Sequence, residues 1–232
     1  PLKTIKTLCR NKYFILITLA FAVIYTSLGL TGGSRIYYAK YVLGDEMLNS
    51  TMTMFNYIPT ILTIMLIPVF TKRFGKIKAL FVGFLFYAAG LVLEIAGPVN
   101  LPMIYTGLVL QGIGHAALYS CLFAIVGDVV DYSEWKDGIR EEGITYSVTS
   151  FGQKIGTGLG TAALGWILAA GHYDGTAAVQ SASAIFAIKG LFLYLPLVIT
   201  VIVLIIWYLF MGIDKIYPTV RKELDERREK AE

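Results

Sequence analysis

Residues 186–212 read FAIKGLFLYLPLVITVIVLIIWYLFMG, with Lys189 near the start as the sole charge. Crossing a hydrocarbon core about 30 Å thick takes about 20 apolar residues, and this run exceeds that length. A segment inside lipid must satisfy its own backbone, which makes it a helix. Comparable runs precede it at 143–171, at 101–126 or a little beyond, at 79–96, at 50–70 and at 13–30. Gly97-Pro98 stops the third run, and Gly32-Gly33 marks the expected end of the first. Residues 35–43 are aromatic and mixed; they extend the first helix past a kink or lie in the interface, where tyrosines are favoured. Composition agrees: 56% of the chain is hydrophobic, with a mean hydropathy of +0.65, against about 45–50% apolar in soluble domains. The expectation is an all-α integral membrane protein of six transmembrane helices.

Charge orients it. Lys and Arg in the segments 1–12, 71–78, 127–142 and 213–232 number 16, and Arg35, Lys40 and Lys189 make 3 on the opposite face. The positive-inside rule assigns the richer face to the cytoplasm. Both termini are then cytoplasmic in a multi-pass protein of the cell (plasma) membrane. The expected division is a cytoplasmic segment 1–12, a six-helix bundle 13–212 and a solvated cytoplasmic tail 213–232. Residues 1–12 are basic, but the following run has no small-residue cleavage site, so no signal peptide is expected. The chain begins at Pro1, which suggests a fragment of a longer protein. A net charge of +4, distributed in this way, points to no nucleic-acid partner. Cys9 and Cys121 fall before the first span and in the middle of the fourth, so neither a disulfide nor a metal site is expected. His115 and His172 lie in different regions, and no nucleophile motif joins them, so no enzyme and no cofactor is expected.

The fifth span holds the most chemistry. Lys154 lies ten residues past Ile144, about 15 Å along a helix axis and near the bilayer midplane. A charge there costs about 2.5–3.5 kcal/mol on the mildest scale, so it should face a cavity or a partner. At 100° per residue, Ser147, Ser150, Lys154, Thr157 and Thr161 share one stripe, flanked by Tyr146 and Gln153. Snorkelling of Lys154 to the interface is the competing reading. Gly152, Gly156 and Gly160 form the opposite line, with Ala163 continuing it, a face suited to close helix packing. On the fourth span Gln111, His115 and Tyr119 recur every four residues. They form either a polar wall facing the same cavity or hydrogen bonds that hold the bundle. Within the six spans the one clear acid is Glu94, near the outer end of the third. The connection from Gly127 to Gly143 mixes acids and bases; it is a solvated loop, or a salt-bridge latch that forms and breaks with conformation.

That connection, GDVVDYSEWKDGIREEGITYS (127–147), followed by Gln153-Lys154 and then glycines, resembles the glycoside–pentoside–hexuronide:cation symporters. These are melibiose-permease-like sugar transporters of the major facilitator superfamily. The likeness covers the whole chain in span order. It implies the C-terminal half of a twelve-helix transporter working by alternating access. By resemblance, Lys154 matches an intramembrane lysine near the sugar and cation sites, and Ser150 and Gln153 match positions beside it. Tyr119 falls where many members carry a sugar-contacting aromatic, although some have tryptophan there. Asp128, Asp131, Arg140 and Glu142 match a cytoplasmic charged cluster that helps close the inward side. The implied partners are a small sugar or glycoside, a coupling Na⁺, Li⁺ or H⁺, membrane lipid and the N-terminal six-helix half. The cation ligands would lie mainly in that missing half, with Lys154 as a counter-charge. The same fold could instead carry a non-sugar solute such as a lipid, or serve as a non-transporting scaffold.

Overall fold

The computed structural model describes residues 8, 10–138 and 140–230; Cys9 and the basic residues Lys3 and Lys6 lie outside them. The secondary structure of the described residues is helical, with no strand. In chain order they are α1 (Lys12–Tyr41), α2 (Leu48–Ile64), α3 (Ile67–Phe74), α4 (Lys76–Ala96), α5 (Leu101–Asp137) and α6 (Glu142–Ala170). Then follow α7 (Ala182–Lys189), a π-helical turn (Gly190–Tyr194), α8 (Leu195–Phe210) and α9 (Gly212–Glu229). Each apolar run of the sequence maps to a helix or a set of consecutive helical segments.

Three boundaries differ from expectation. First, α1 does not stop at Gly32-Gly33 but continues to Tyr41. Gly weakens a helix by about 1 kcal/mol relative to Ala, but lipid offers the backbone no other partner. Gly33 also lets α1 approach Leu164, whose Cδ2 would lie 3.0 Å from an added Cβ. Arg35 is therefore helical, the first of the two readings given for residues 35–43. Second, the second run is broken: α2 and α3 meet at 55°. Pro68 opens α3, and its ring clashes with the carbonyl four residues back, where α2 ends at Ile64. Third, α5 runs for 37 residues and ends only where Gly138 takes the left-handed conformation, φ 65°. The residues from Asp128 to Asp137 are thus the last turns of a helix, not a solvated loop.

Among the described residues, four helices are long and apolar enough to cross a membrane, five with the bent α2–α3 pair. The sixth segment, α6, has 29 residues, about 44 Å of helix. Its serines, threonines, glycines and lysine are what lower its hydropathy.

The principal interfaces are α1 with α6, α4 with α5, and α2 with α5. The first is the expected glycine line. Gly152, Gly156 and Gly160 are buried. A Cβ on Gly160 would run into the Thr26 carbonyl and come within 2.9 Å of the Leu30 nitrogen, and one on Gly156 would meet the Ala22 carbonyl. The nearest atoms are backbone, with the Tyr25 Cβ beside them at Gly156, so the two helices approach backbone to backbone.

The terminal segment departs from the solvated tail expected of it. α9 buries Ile213, Val220 and Leu224 against a cluster that includes Ile17, Leu80, Ile125 and Phe210. Asp214 accepts from the backbone N–H of Ile77 at 3.1 Å and of Lys78 at 3.2 Å, satisfying donors at the start of α4. Burial raises the Asp214 carboxyl above its ordinary range, against the pull of those two donors.

Gly160→Val should push α6 off α1 and cost about 1–3 kcal/mol of stability. Gly158→Ala, where an added Cβ meets nothing within 4 Å, should be neutral. Thermal unfolding of both variants in detergent checks this; equal midpoints would contradict the packing account.

Candidate functional site

α6 presents the polar stripe outward. Lys154, Thr157 and Thr161 are exposed, Ser150 and Gln153 half-buried. The Thr157 hydroxyl donates to the Gln153 backbone carbonyl one turn back at 3.0 Å. No carboxylate of the described residues lies within 4 Å of Lys154. Lys154 therefore sits mid-helix as an unpaired cation. Tyr119 is 47% exposed on α5, and no hydrogen bond joins it to Ser150, Gln153 or Lys154 among the described residues. Three of the four expected substrate residues thus share one helix, and the fourth is an exposed side chain of α5.

The Gln111–His115–Tyr119 row divides. Gln111 and His115 turn inward and Tyr119 outward. Gln111 Nε2 donates to Glu94 Oε1 at 2.7 Å. His115 Nδ1 lies 3.4 Å from Asn56 Oδ1, with its ring 5.0 Å from that of Tyr87. Asn56 in turn donates to the Leu108 carbonyl at 3.2 Å, and Thr60 to the Gly112 carbonyl at 3.0 Å. Most of this network is interhelical glue, the second of the two readings of that row. Ser27, Tyr87, His115 and Thr200 are among the residues that line a small pocket of about 20 Å³, room for one water.

Arg35 enters the same interior, a contribution the sequence analysis did not assign to it. Its Nη1 donates to Thr53 Oγ1 at 3.2 Å. Its Nε and Glu94 Oε2 are both buried without a hydrogen-bond partner. The i, i+3, i+7 phasing of Arg35, Tyr38 and Val42 on a helix prolonged past Gly33 was the available signal.

At the far end of α5 the expected charged cluster assembles in part. Arg140 Nη1 donates to Asp131 at 3.1 Å and to Glu134 at 2.5 Å, and Nη2 bonds Glu142. Hydrogen bonding to Glu134, reinforced by Glu142 and Asp131, holds the Arg140 pKa above its usual value. Asp128 does not join them; it is 5% exposed and pairs with Lys76 of α4 at 2.6 Å. α9 closes over the cluster: Tyr217 donates to Asp131 at 2.9 Å, Trp135 to Glu223 at 2.7 Å, and Arg228 to Glu134 at 3.0 Å. Burial, then the nearby Asp128 charge, raises the Tyr217 phenol above its ordinary pKa. Glu134, Lys76 and Tyr217 were not singled out in sequence, because they fall in three separate segments, the 127–143 connection, the basic segment 71–78 and the tail, which only the fold brings together. On a helix, Asp131 and Glu134 fall three residues apart on one face.

Removing Lys76 alone strands a buried carboxylate, whereas removing both charges does not. Lys76→Met should therefore cost more stability than Lys76→Met with Asp128→Asn, with an interaction energy of about 0.5–3 kcal/mol. A thermal double-mutant cycle measures it, and additive effects would contradict a working pair.

Comparison with known proteins supports a transporter bundle. A sequence model of the family described as MFS/sugar transport protein matches residues 2–215. The isoprimeverose transporter of Lactiplantibacillus pentosus is 31% identical over 98% of this chain and 47% of its own length. The glucuronide carrier protein homolog of Escherichia coli (strain K12) is 26% identical over 97% of this chain and 50% of the relative. A putative glycoside/cation symporter of the same organism is 25% identical over 85% of this chain and 43% of the relative. The chain spans about half the length of the curated relatives it matches. A family match running through all the membrane helices leaves one assignment: the chain belongs to the MFS/sugar transport protein family.

Proposed function

We propose that this chain supplies the C-terminal six-helix half of a cation-coupled sugar symporter that works by alternating access. The observation that carries the proposal is the unpaired Lys154, exposed mid-helix on α6 amid Ser150, Gln153, Thr157 and Thr161. A cation and hydroxyls facing lipid would be costly. Facing a second bundle across a water-filled path, they become sugar-binding donors and acceptors, with the lysine as counter-charge to carboxylates of that bundle. Sites of this kind lie near the midplane between two transporter repeats. The partner half, a small sugar or glycoside, and Na⁺, Li⁺ or H⁺ complete the site. Binding of both ligands would favour an occluded state able to reorient.

The charged end supports the other part of the cycle. Asp128–Lys76 ties α5 to α4, and Arg140 bridges Glu142 of α6 to Asp131 and Glu134 of α5. α9 lies over both. In this reading that end is cytoplasmic, in the plasma membrane, and these pairs break and reform as the two halves rock. The relatives' names support a sugar as the cargo. A lipid or other solute is the competing cargo, and competition of sugars against lipids for binding to the purified full-length protein separates the two.

In the full-length protein, Lys154→Ala should abolish cation-coupled uptake of a radiolabelled glycoside into proteoliposomes. Normal concentrative uptake by a well-expressed Lys154→Ala protein would remove the proposed role.

A further inference from the structure

Glu94 is fully buried, within one turn of the end of α4 at Ala96. One of its oxygens is explained: Oε1 accepts from Gln111 Nε2 at 2.7 Å. The other is not, because Oε2 has no donor and no accessible surface. The side chain is also clamped. A Cβ on Gly107 would lie 2.6 Å from Glu94 Cγ, and one on Gly90 would lie 3.0 Å from Gln111 Cγ. The carboxyl therefore cannot swing to a new partner without moving α4 against α5.

The groups within electrostatic reach of this carboxyl and of Arg35 come from four helices. They are Arg35 and Tyr38 of α1, Tyr57 of α2, Tyr87 of α4, and His115 and Tyr119 of α5. Arg35 is the fixed cation among them. No ion pair within 4 Å joins Arg35 to Glu94; Arg35 spends its Nη1 on Thr53 and leaves its Nε without an acceptor. A carboxylate with one bare oxygen and no contacting cation is a costly thing to bury. Protonating the bare oxygen removes the charge.

The same geometry excludes larger ligands from that oxygen. A hydrated cation or a sugar hydroxyl cannot reach an atom that has no accessible surface. No group of three or more His, Cys, Asp or Glu able to hold a metal ion occurs among the described residues. A proton is the one cation that fits.

We infer that Glu94 is a proton-binding site in this chain, occupied on Oε2 in the arrangement described and emptied when Arg35 moves from Thr53 into contact with the carboxyl. In the second arrangement the O–H bond breaks, the proton passes to water, and the carboxylate and guanidinium pair. The bare Arg35 Nε and the bare Glu94 Oε2 then satisfy each other. Bistable side-chain pairs of this sort turn a local proton into a helix movement. As a coupling site the inference rests on the proposed transport function; as a proton site it does not.

Infrared difference spectra of the full-length protein, titrated across neutral pH, test it. The expected result is an un-ionised carboxyl carbonyl band that Glu94→Gln deletes. The thermal midpoint should be retained, because glutamine mimics the protonated acid. A wild-type spectrum in which Glu94→Gln removes only carboxylate bands would overturn the inference, as would a Glu94→Gln protein that fails to fold. In proteoliposomes, with radiolabelled isoprimeverose as the probe, uptake by the wild type should rise under an inward proton gradient. Glu94→Gln should lose that dependence, and an unchanged dependence would overturn the coupling role. Failure of the wild type to take up the probe would count against the transport reading, while the infrared band still decides the proton site.

Discussion

A charge at the centre of a bilayer costs about 2.5–3.5 kcal/mol even on the most lenient scale, and an unpaired backbone group there is costly too. Both costs shape this bundle. Backbone demand carries α1 through two consecutive glycines and Arg35 to Tyr41. The cost of buried charge divides the polar residues into three populations. Some are satisfied within the bundle, as Gln111, Asn56 and Thr60 are. Some pair at the end of the bundle, as Lys76, Asp128 and Arg140 do. A third group, Lys154 with its neighbouring hydroxyls and the Arg35–Glu94 pair, is left incomplete.

Those incomplete groups are where function is expected to lie, because the rest of the bundle is tightly fitted. Backbone contacts at Gly156 and Gly160 fix α6 on α1, and those at Gly83 and Gly114 fix α4 on α5. Helix pairs locked in this way move as units. A change at α6 or at Glu94 must then appear as a shift of one pair against another. The α9 helix, bound to α4 through Asp214 and to α5 through Asp131, Glu134 and Trp135, braces the α4–α5 unit at one end.

Much of the fold could be read from the apolar runs, and the glycine line of α6 from its four-residue spacing. Both signals are periodic, and periodicity survives in sequence. The Gly32-Gly33 pair misled because glycine carries a soluble-protein meaning as a helix end, which lipid overrides. The acids after Val126 misled because charge density was taken as a sign of loop. There a helix extends beyond its apolar stretch and is covered by α9, whose buried Ile213, Val220 and Leu224 are too widely spaced to stand out among charged residues. Of the candidate site, Lys154 and its stripe were legible from one helix alone. The approach of Arg35 to Glu94 was not, since it depends on how α1 meets α4.

The central claim is that the α6 stripe borders water and a second bundle, not lipid. In the full-length protein, with Cys9 and Cys121 replaced, Thr157→Cys and Leu159→Cys can be exposed to a membrane-impermeant maleimide in intact vesicles. Thr157 lies on the stripe and Leu159 on another exposed face of the same helix. The account expects labelling at 157, slowed by a bound glycoside, and none at 159. Equal labelling at both positions, or none at 157 from either side of the membrane, would contradict it.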